Sequence, residues 1–179
     1  AALMMAKFSG DTRYCILTEA APAPAADALN DLLCAAALEE RFITLSLGVL
    51  DPVGHRLRLC SAGHLPVLIR RAGGAVEAVG DEIGGFPLGI LPHQHYKQAE
   101  ITLGPGDVVV VYSDGIPDAR NAREELYDSQ ENRRLSARVA ASIGGPEAVG
   151  RAILQDLREF TAGYPQADDI TLICYGRTS

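Results

Sequence analysis

The chain has 179 residues, of which 47% are hydrophobic and 22% charged, and its formal net charge is -7. That length suits one domain that buries a core without staples, and that composition is globular and soluble rather than disordered. The acidic balance excludes the basic face that non-specific nucleic-acid binding or an anionic membrane surface requires, and no apolar run approaches the roughly 20 residues of a membrane helix.

In chain order, residues 1–9 read as the end of a helix, with Ser9, Gly10 and Asp11 as its stop signal. Ala-Ala-Leu-Met-Met has neither the basic flank nor the apolar core of a signal peptide. It resembles a helix entered part-way, so a longer parent chain and a cytoplasmic location are expected. Residues 20–26 are rich in Ala and Pro and open a helix over Asp27–Leu38, where Leu29, Leu32, Leu33, Ala36 and Ala37 keep helical spacing. Phe42–Leu50 and Arg56–Ser61 alternate as strands about an Asp51-Pro52-Val53-Gly54 turn and form a hairpin. Val67–Arg71 and Val76–Val79 are a second hairpin, residues 80–97 a loop, and Gln98–Leu103 a further strand. Val108–Tyr112 is an uninterrupted β-branched run, which predicts a central strand covered on both faces. Two helices, Asn132–Ser142 and Pro146–Thr161, precede a closing strand over Ile170–Tyr175; Pro146 suits a first helical turn. Helices, then antiparallel strands, then helices and a last strand make an α+β order. The four cysteines, Cys15, Cys34, Cys60 and Cys174, contain no C-x-x-C pair and predict free, mostly buried thiols in a reducing compartment.

Three places could carry chemistry. In Tyr112-Ser113-Asp114-Gly115 a buried strand delivers a carboxylate at its end, where a metal ligand is held rigidly; an ordinary Asp-Gly turn is the alternative. In Ala167-Asp168-Asp169-Ile170, two adjacent carboxylates precede an apolar strand and point to opposite sides; an exposed acidic strand start is the alternative. If the two stretches meet, clustered carboxylates need a cation to offset their repulsion, and oxygen ligands favour Mg²⁺ or Mn²⁺. His64, at the bend in Ser61-Ala62-Gly63-His64-Leu65-Pro66, is a third candidate, against the plainer reading of a structural histidine. His93 and His95 flank Gln94 without a third evident ligand.

Read together, these stretches resemble the SpoIIE-type branch of the PPM protein phosphatases. AALMMAK is similar to the helix after that family's D-x-S-G-H-G segment. SAGHLPVLIRR is similar to N-A-G-H-x-P-x-x-x-x-R, with Ser61 for Asn. GGFPLGI resembles the G-x-P-L-G-x turn, LGPGDVVVVYSDGIPDARN the L-x-x-G-D-x-x-x-x-Y-T-D-G-x-x-E-A-x-N stretch, and ADDITLICYGR the closing D-D-x-T-x-x-x-x-x-R. The resemblance runs through the whole chain in order. It implies a four-layer α-β-β-α sandwich of two antiparallel sheets flanked by helices, lacking its N-terminal strands, so that residues 1–179 are the C-terminal portion of a phosphatase domain.

The resemblance further implies two Mn²⁺ or Mg²⁺ ions and hydrolysis of phosphoserine or phosphothreonine on a regulatory protein, such as an anti-sigma-factor antagonist, in bacterial signalling. By position, Asp114 and Asp168 are the metal-ligand carboxylates, with Gly115 as a backbone hinge and Asp169, Asp118 and His64 as supporting residues. The family's G-D-x-x-D and D-x-S-G-H-G segments are expected before residue 1, leaving about half a binuclear site and little activity in these residues alone. An upstream sensory or signalling domain of the same chain is the expected partner besides the phosphoprotein. Sheet edges left open favour self-association as a homodimer. The other reading is a catalytically incomplete phosphatase-like module that binds a phosphoprotein or acts as a scaffold. Pro117-Asp118 replaces the usual Thr-Glu, and Asp128 stands where Gly, tolerant of positive φ, is usual.

Overall fold

The computed structural model describes residues 2–36 and 42–178, which form two compact units. The predicted helical positions Ala37 and Leu38 lie outside the described residues. No helix of the described residues is long and apolar enough to cross a membrane.

The first unit comprises Ala1–His64 and Gly80–Thr102. Its helices are α1 (Ala2–Thr18) and α2 (Pro22–Ala35), and its strands are β1 (Leu45–Asp51), β2 (Arg56–Ala62), β5 (Gly84–Gly85) and β6 (Gln98–Thr102). The helix stop expected at Ser9-Gly10-Asp11 does not occur. Lys7 and Asp11 pair at 2.6 Å one turn apart, and Phe8 and Cys15 pack into the unit's core on either side of Gly10. These contacts outweigh the roughly 1 kcal/mol that an interior glycine costs a helix. Pro22 starts α2 five residues earlier than the helical spacing indicates, as a proline at the first helical position readily does. Strand β2 is central: it pairs antiparallel with β1 and β6 and, over two residues, parallel with β5. That parallel pairing turns part of the expected 80–97 loop into sheet. Leu29, Leu33, Ala26, Cys60, Ala62 and Leu88 form the buried centre of this unit.

The second unit comprises Leu65–Val79 and Leu103–Ser179. It holds β3 (Val67–Arg70), β4 (Val76–Val79), β7 (Val108–Tyr112), α3 (Arg134–Ala141), α4 (Pro146–Thr161) and β8 (Leu172–Gly176). The sheet order is β4-β3-β7-β8, antiparallel throughout. Val108, Val109 and Val110 are all buried, so both faces of β7 are covered, as its unbroken apolar run requires. Val108, Val110 and Tyr112 pack with Leu135 and Val139 of α3 and Val149, Ile153 and Leu157 of α4. Each such side chain contributes about 1.5–3 kcal/mol on burial. Among the described residues the fold is thus mixed α+β, with two sheets and four helices.

Candidate functional site

The end of β7 and the start of β8 build the candidate site. Their ladder closes on Tyr112 opposite Leu172, and backbone pairing runs one step further as Ser113 N donates to Thr171 O at 3.0 Å. The Ser113 hydroxyl then stitches the two acidic motifs together. It donates to the Asp169 carbonyl at 3.1 Å and accepts from Thr171 N at 2.9 Å. One side chain therefore satisfies two backbone groups of the Asp-Asp segment and holds it against the Ser-Asp-Gly segment.

Gly115 is buried in this junction. A Cβ there would lie 2.4 Å from the Asp169 carbonyl oxygen and 2.9 Å from its carbon. Its φ is not positive, so glycine is required here by the close approach of two backbones and not by a left-handed conformation. A short turn follows, with Ile116 N donating to Ser113 O and Asp118 N to Asp114 O.

The carboxylates of Asp114, Asp118, Asp168 and Asp169 are all exposed. Asp168 accepts from Asp169 N at 2.7 Å, and its carbonyl receives Gln166 Nε2 at 2.7 Å. No basic side chain of the described residues pairs with Asp114 or Asp168. Gly115, Asp118 and Asp168 border a cavity of about 280 Å³ that Arg120, Arg158 and Tyr164 also line. The donors offered at this junction are carboxylate oxygens, which suit a hard divalent cation. Among the described residues no group of three or more His, Cys, Asp or Glu side chains is placed to hold a metal ion.

His64 belongs to the first unit. Its Nδ1 lies 3.4 Å from Thr44 Oγ1, and its carbonyl accepts the buried Ser61 hydroxyl at 3.2 Å. Beside it, Gly63 takes φ +67°, and a Cβ there would lie 2.5 Å from Pro87 Cγ. The Ser-Ala-Gly-His stretch and the Gly-Phe-Pro-Leu-Gly motif thus meet in one packed corner of the first unit. His95 and His93 are each paired with an α2 carboxylate, Asp27 at 2.9 Å and Asp31 at 3.5 Å.

Other motif residues hold the framework of the second unit. Arg71 bonds Glu77 at 2.9 Å and Asp107 at 2.8 Å. Burial pushes the Asp107 carboxyl up, but Arg71 and the N–H groups of Gly104 and Ala72 outweigh it and hold the group below its ordinary value. Arg177 donates to Leu103 O at 3.3 Å, fixing the chain beyond β8. Asp128 lies outside the positive-φ region, so aspartate is accommodated where glycine is usual. It also accepts from Leu135 N at 2.9 Å and caps the start of α3.

Reading the residues alone misses Ser113, the arginines of the cavity, and the cluster of Tyr127, Arg134 and Asp156. Tyr127 is fully buried and donates to Asp156 at 2.9 Å, and Arg134 bonds the same carboxylate at 2.8 and 3.0 Å. Burial, then the bond to Asp156, raises the Tyr127 hydroxyl, and Arg134 holds Asp156 below the usual carboxylate range. A hydroxyl directly before Asp-Gly at a strand end is the signal that could have found Ser113; nothing in the spacing brings the other three together.

The two sheets, four helices and juxtaposed acidic turns have the fold of PP2C-type phosphatase domains. The SiaA-PP2C domain of Pseudomonas aeruginosa matches with a TM-score of 0.78 at 19% identity, covering 98% of this chain and 68% of that one. The RsbU and RsbW domains of Rv1364c from Mycobacterium tuberculosis match with a TM-score of 0.74 at 24% identity, covering 99% of this chain and 48% of that one. Protein IcfG of Synechocystis sp. (strain ATCC 27184 / PCC 6803 / Kazusa) is 30% identical over 136 residues, 76% of this chain and 21% of that protein. The chain belongs to the SpoIIE family (Stage II sporulation protein E), whose pattern matches residues 1–178. It spans about a fifth of the curated relative and about half of the Rv1364c chain. Domains of this class are metal-dependent.

Proposed function

We propose that this segment acts within a longer chain as the C-terminal portion of a cytoplasmic, metal-dependent phosphatase. Its substrate is a phosphoserine or phosphothreonine of a regulatory protein of the anti-sigma-factor-antagonist kind. A sensory or signalling module of the same chain supplies the input. The observation that carries this reading is the stitching of Ser113-Asp114-Gly115 to Asp169-Ile170-Thr171. It brings the backbones of two acidic motifs, remote in sequence, to one sheet end in a family of metal-dependent phosphatases.

In this reading Asp114 and Asp168 hold Mn²⁺ or Mg²⁺, and the acidic segments N-terminal to this one complete a two-ion site. Ions held by these carboxylates would supply positive charge for the phosphate group and would make a bound water more acidic. The chain's own part is positional. Strand β7 fixes Asp114, Gly115 admits the close approach, and the Ser113 hydroxyl keeps the Asp168-Asp169 turn from drifting. Preorganised charge is the main source of acceleration in such a site. Asp118 and Asp169 add negative potential beside the ligands.

The test is phosphate release from a phosphoserine peptide by the full-length protein, with and without Mn²⁺. Asp114→Asn and Asp168→Asn should each lower kcat/KM by about 100-fold or more, and the 179 residues alone should turn over little. Metal-independent turnover, or full activity in both variants, would overturn the assignment. A full-length protein that binds the phosphopeptide without hydrolysing it would establish the binding module instead.

A further inference from the structure

The 280 Å³ cavity beside Asp168 has a composition that the phosphatase reading does not explain. A phosphoryl group needs cations and donors, yet this cavity also carries Leu154, Leu157 and Pro165, with Arg120 and Arg158. The two arginines differ. Arg120 Nη1 is tied to the Glu124 carbonyl at 2.9 Å. Arg158, exposed in the last turn of α4, has no side-chain partner among the described residues.

Just beyond Arg158 the helix stops with Ala162 at φ +46° and Gly163 at φ +82°. The chain then runs through Tyr164, Pro165 and Gln166 directly to Asp168. The cavity is therefore bounded on one side by a proposed ligand and on another by an unpaired guanidinium. The carboxylates that line it are Asp118 and Asp168. The two arginines offset the two carboxylates that line the cavity, and Arg158 is the one of the two arginines whose guanidinium has no partner among the described residues.

Resting on the proposed phosphatase reading, we infer that this cavity is a substrate-specificity subsite. It takes an acidic side chain close in sequence to the phosphorylated residue of the protein substrate. Arg158 is its specificity-determining residue, Arg120 adds positive potential, and Leu154, Leu157 and Pro165 cover the methylene part of the bound side chain. An Asp or Glu meets opposite charge at Arg158, whereas a Lys meets like charge there.

The test uses the full-length protein and two phosphoserine peptides that differ only by Glu or Lys beside the phosphoserine, compared by kcat/KM. The native protein should prefer the Glu peptide by about tenfold, as expected for pairing with a partly enclosed charge. Arg158→Glu should invert that preference, and Arg158→Gln should abolish it. A purely structural role would lower both peptides equally and leave their ratio unchanged. Arg151→Glu, which alters an arginine paired with Glu147 elsewhere on α4, should leave the ratio untouched. The fold of each variant is checked by its thermal midpoint. A native ratio near one, or a ratio that Arg158→Glu does not move, overturns the subsite while leaving the phosphatase intact. No metal-dependent turnover of either peptide by the native protein overturns both.

Discussion

Replacing Gly115 by alanine tests whether close approach of two backbones builds the candidate site. A methyl group there would sit 2.4 Å from the Asp169 carbonyl oxygen and 2.9 Å from its carbon. Ordinary contacts of that kind begin at 3.4 Å, so the two segments must separate by roughly 1 Å. The obstacle is backbone, which cannot swing aside as a side-chain tip can. Overpacking of this kind costs about 1–3 kcal/mol, and a 1 Å misplacement at a catalytic centre costs about 100-fold in rate. The separation would also stretch the Ser113–Asp169 bond, now 3.1 Å. Gly10→Ala is the contrast: no atom lies within 4 Å of the added carbon, and the site is helical, so a gain of about 0.5–1 kcal/mol is expected. Urea midpoints of the full-length protein read the stability of both variants, and Mn²⁺-dependent phosphate release reads the site. If Gly115→Ala shifts neither the midpoint nor the turnover, the close approach has no bearing on the site and the reasoning fails.

Asp107 carries a pH dependence of known sign. Its folded pKa is depressed, so its stabilisation is present above the unfolded carboxylate value near 4 and is lost as pH falls through the lower folded value. Asp107→Asn should therefore cost about 1–3 kcal/mol at pH 7 and progressively less below about pH 4, read from urea midpoints against pH. The thiols give a second check. Burial pushes Cys60 up to about 12 and Cys174 up to about 11, so neither should be alkylated by iodoacetamide at pH 8 in the folded protein. The half-buried Cys34 should react first, and peptide mapping of the alkylated protein reads the order.

The elements that could be read from the residues are those whose pattern is local. Val108–Tyr112 is a strand because its β-branched run leaves no alternative, and Pro146 and Thr161 bound α4 as read. The long extent of α1 could not be read, because the contacts that carry it through Gly10 come from packing of Phe8 and Cys15. The two-residue strand β5 has no pattern of its own and exists only because β2 lies beside it. At the site, Asp114 and Asp168 were nominated by their place at strand ends. That their segments meet was not legible, since it depends on β7 and β8 being neighbours in the sheet. Gly115 is a related case: a glycine needed for space looks, in sequence, like one needed for φ.

The same distinction separates the motif residues by what they do. Gly63, Arg71, Asp107 and Arg177 stand at the most recognisable positions of the resemblance, yet each is consumed by a contact that fixes one stretch of chain against another. Asp114 and Asp168 differ because no basic partner among the described residues claims them. A carboxylate that stabilises a fold is drawn into hydrogen bonds, as Asp107 is by Arg71, Ala72 and Gly104. A carboxylate kept for a cation must instead be placed by its backbone and stay clear of basic side chains, as Asp168 does while accepting only the Asp169 N–H. Ser113 meets that requirement at this sheet end: it secures the neighbouring chain through peptide groups alone and spends neither acidic side chain in doing so.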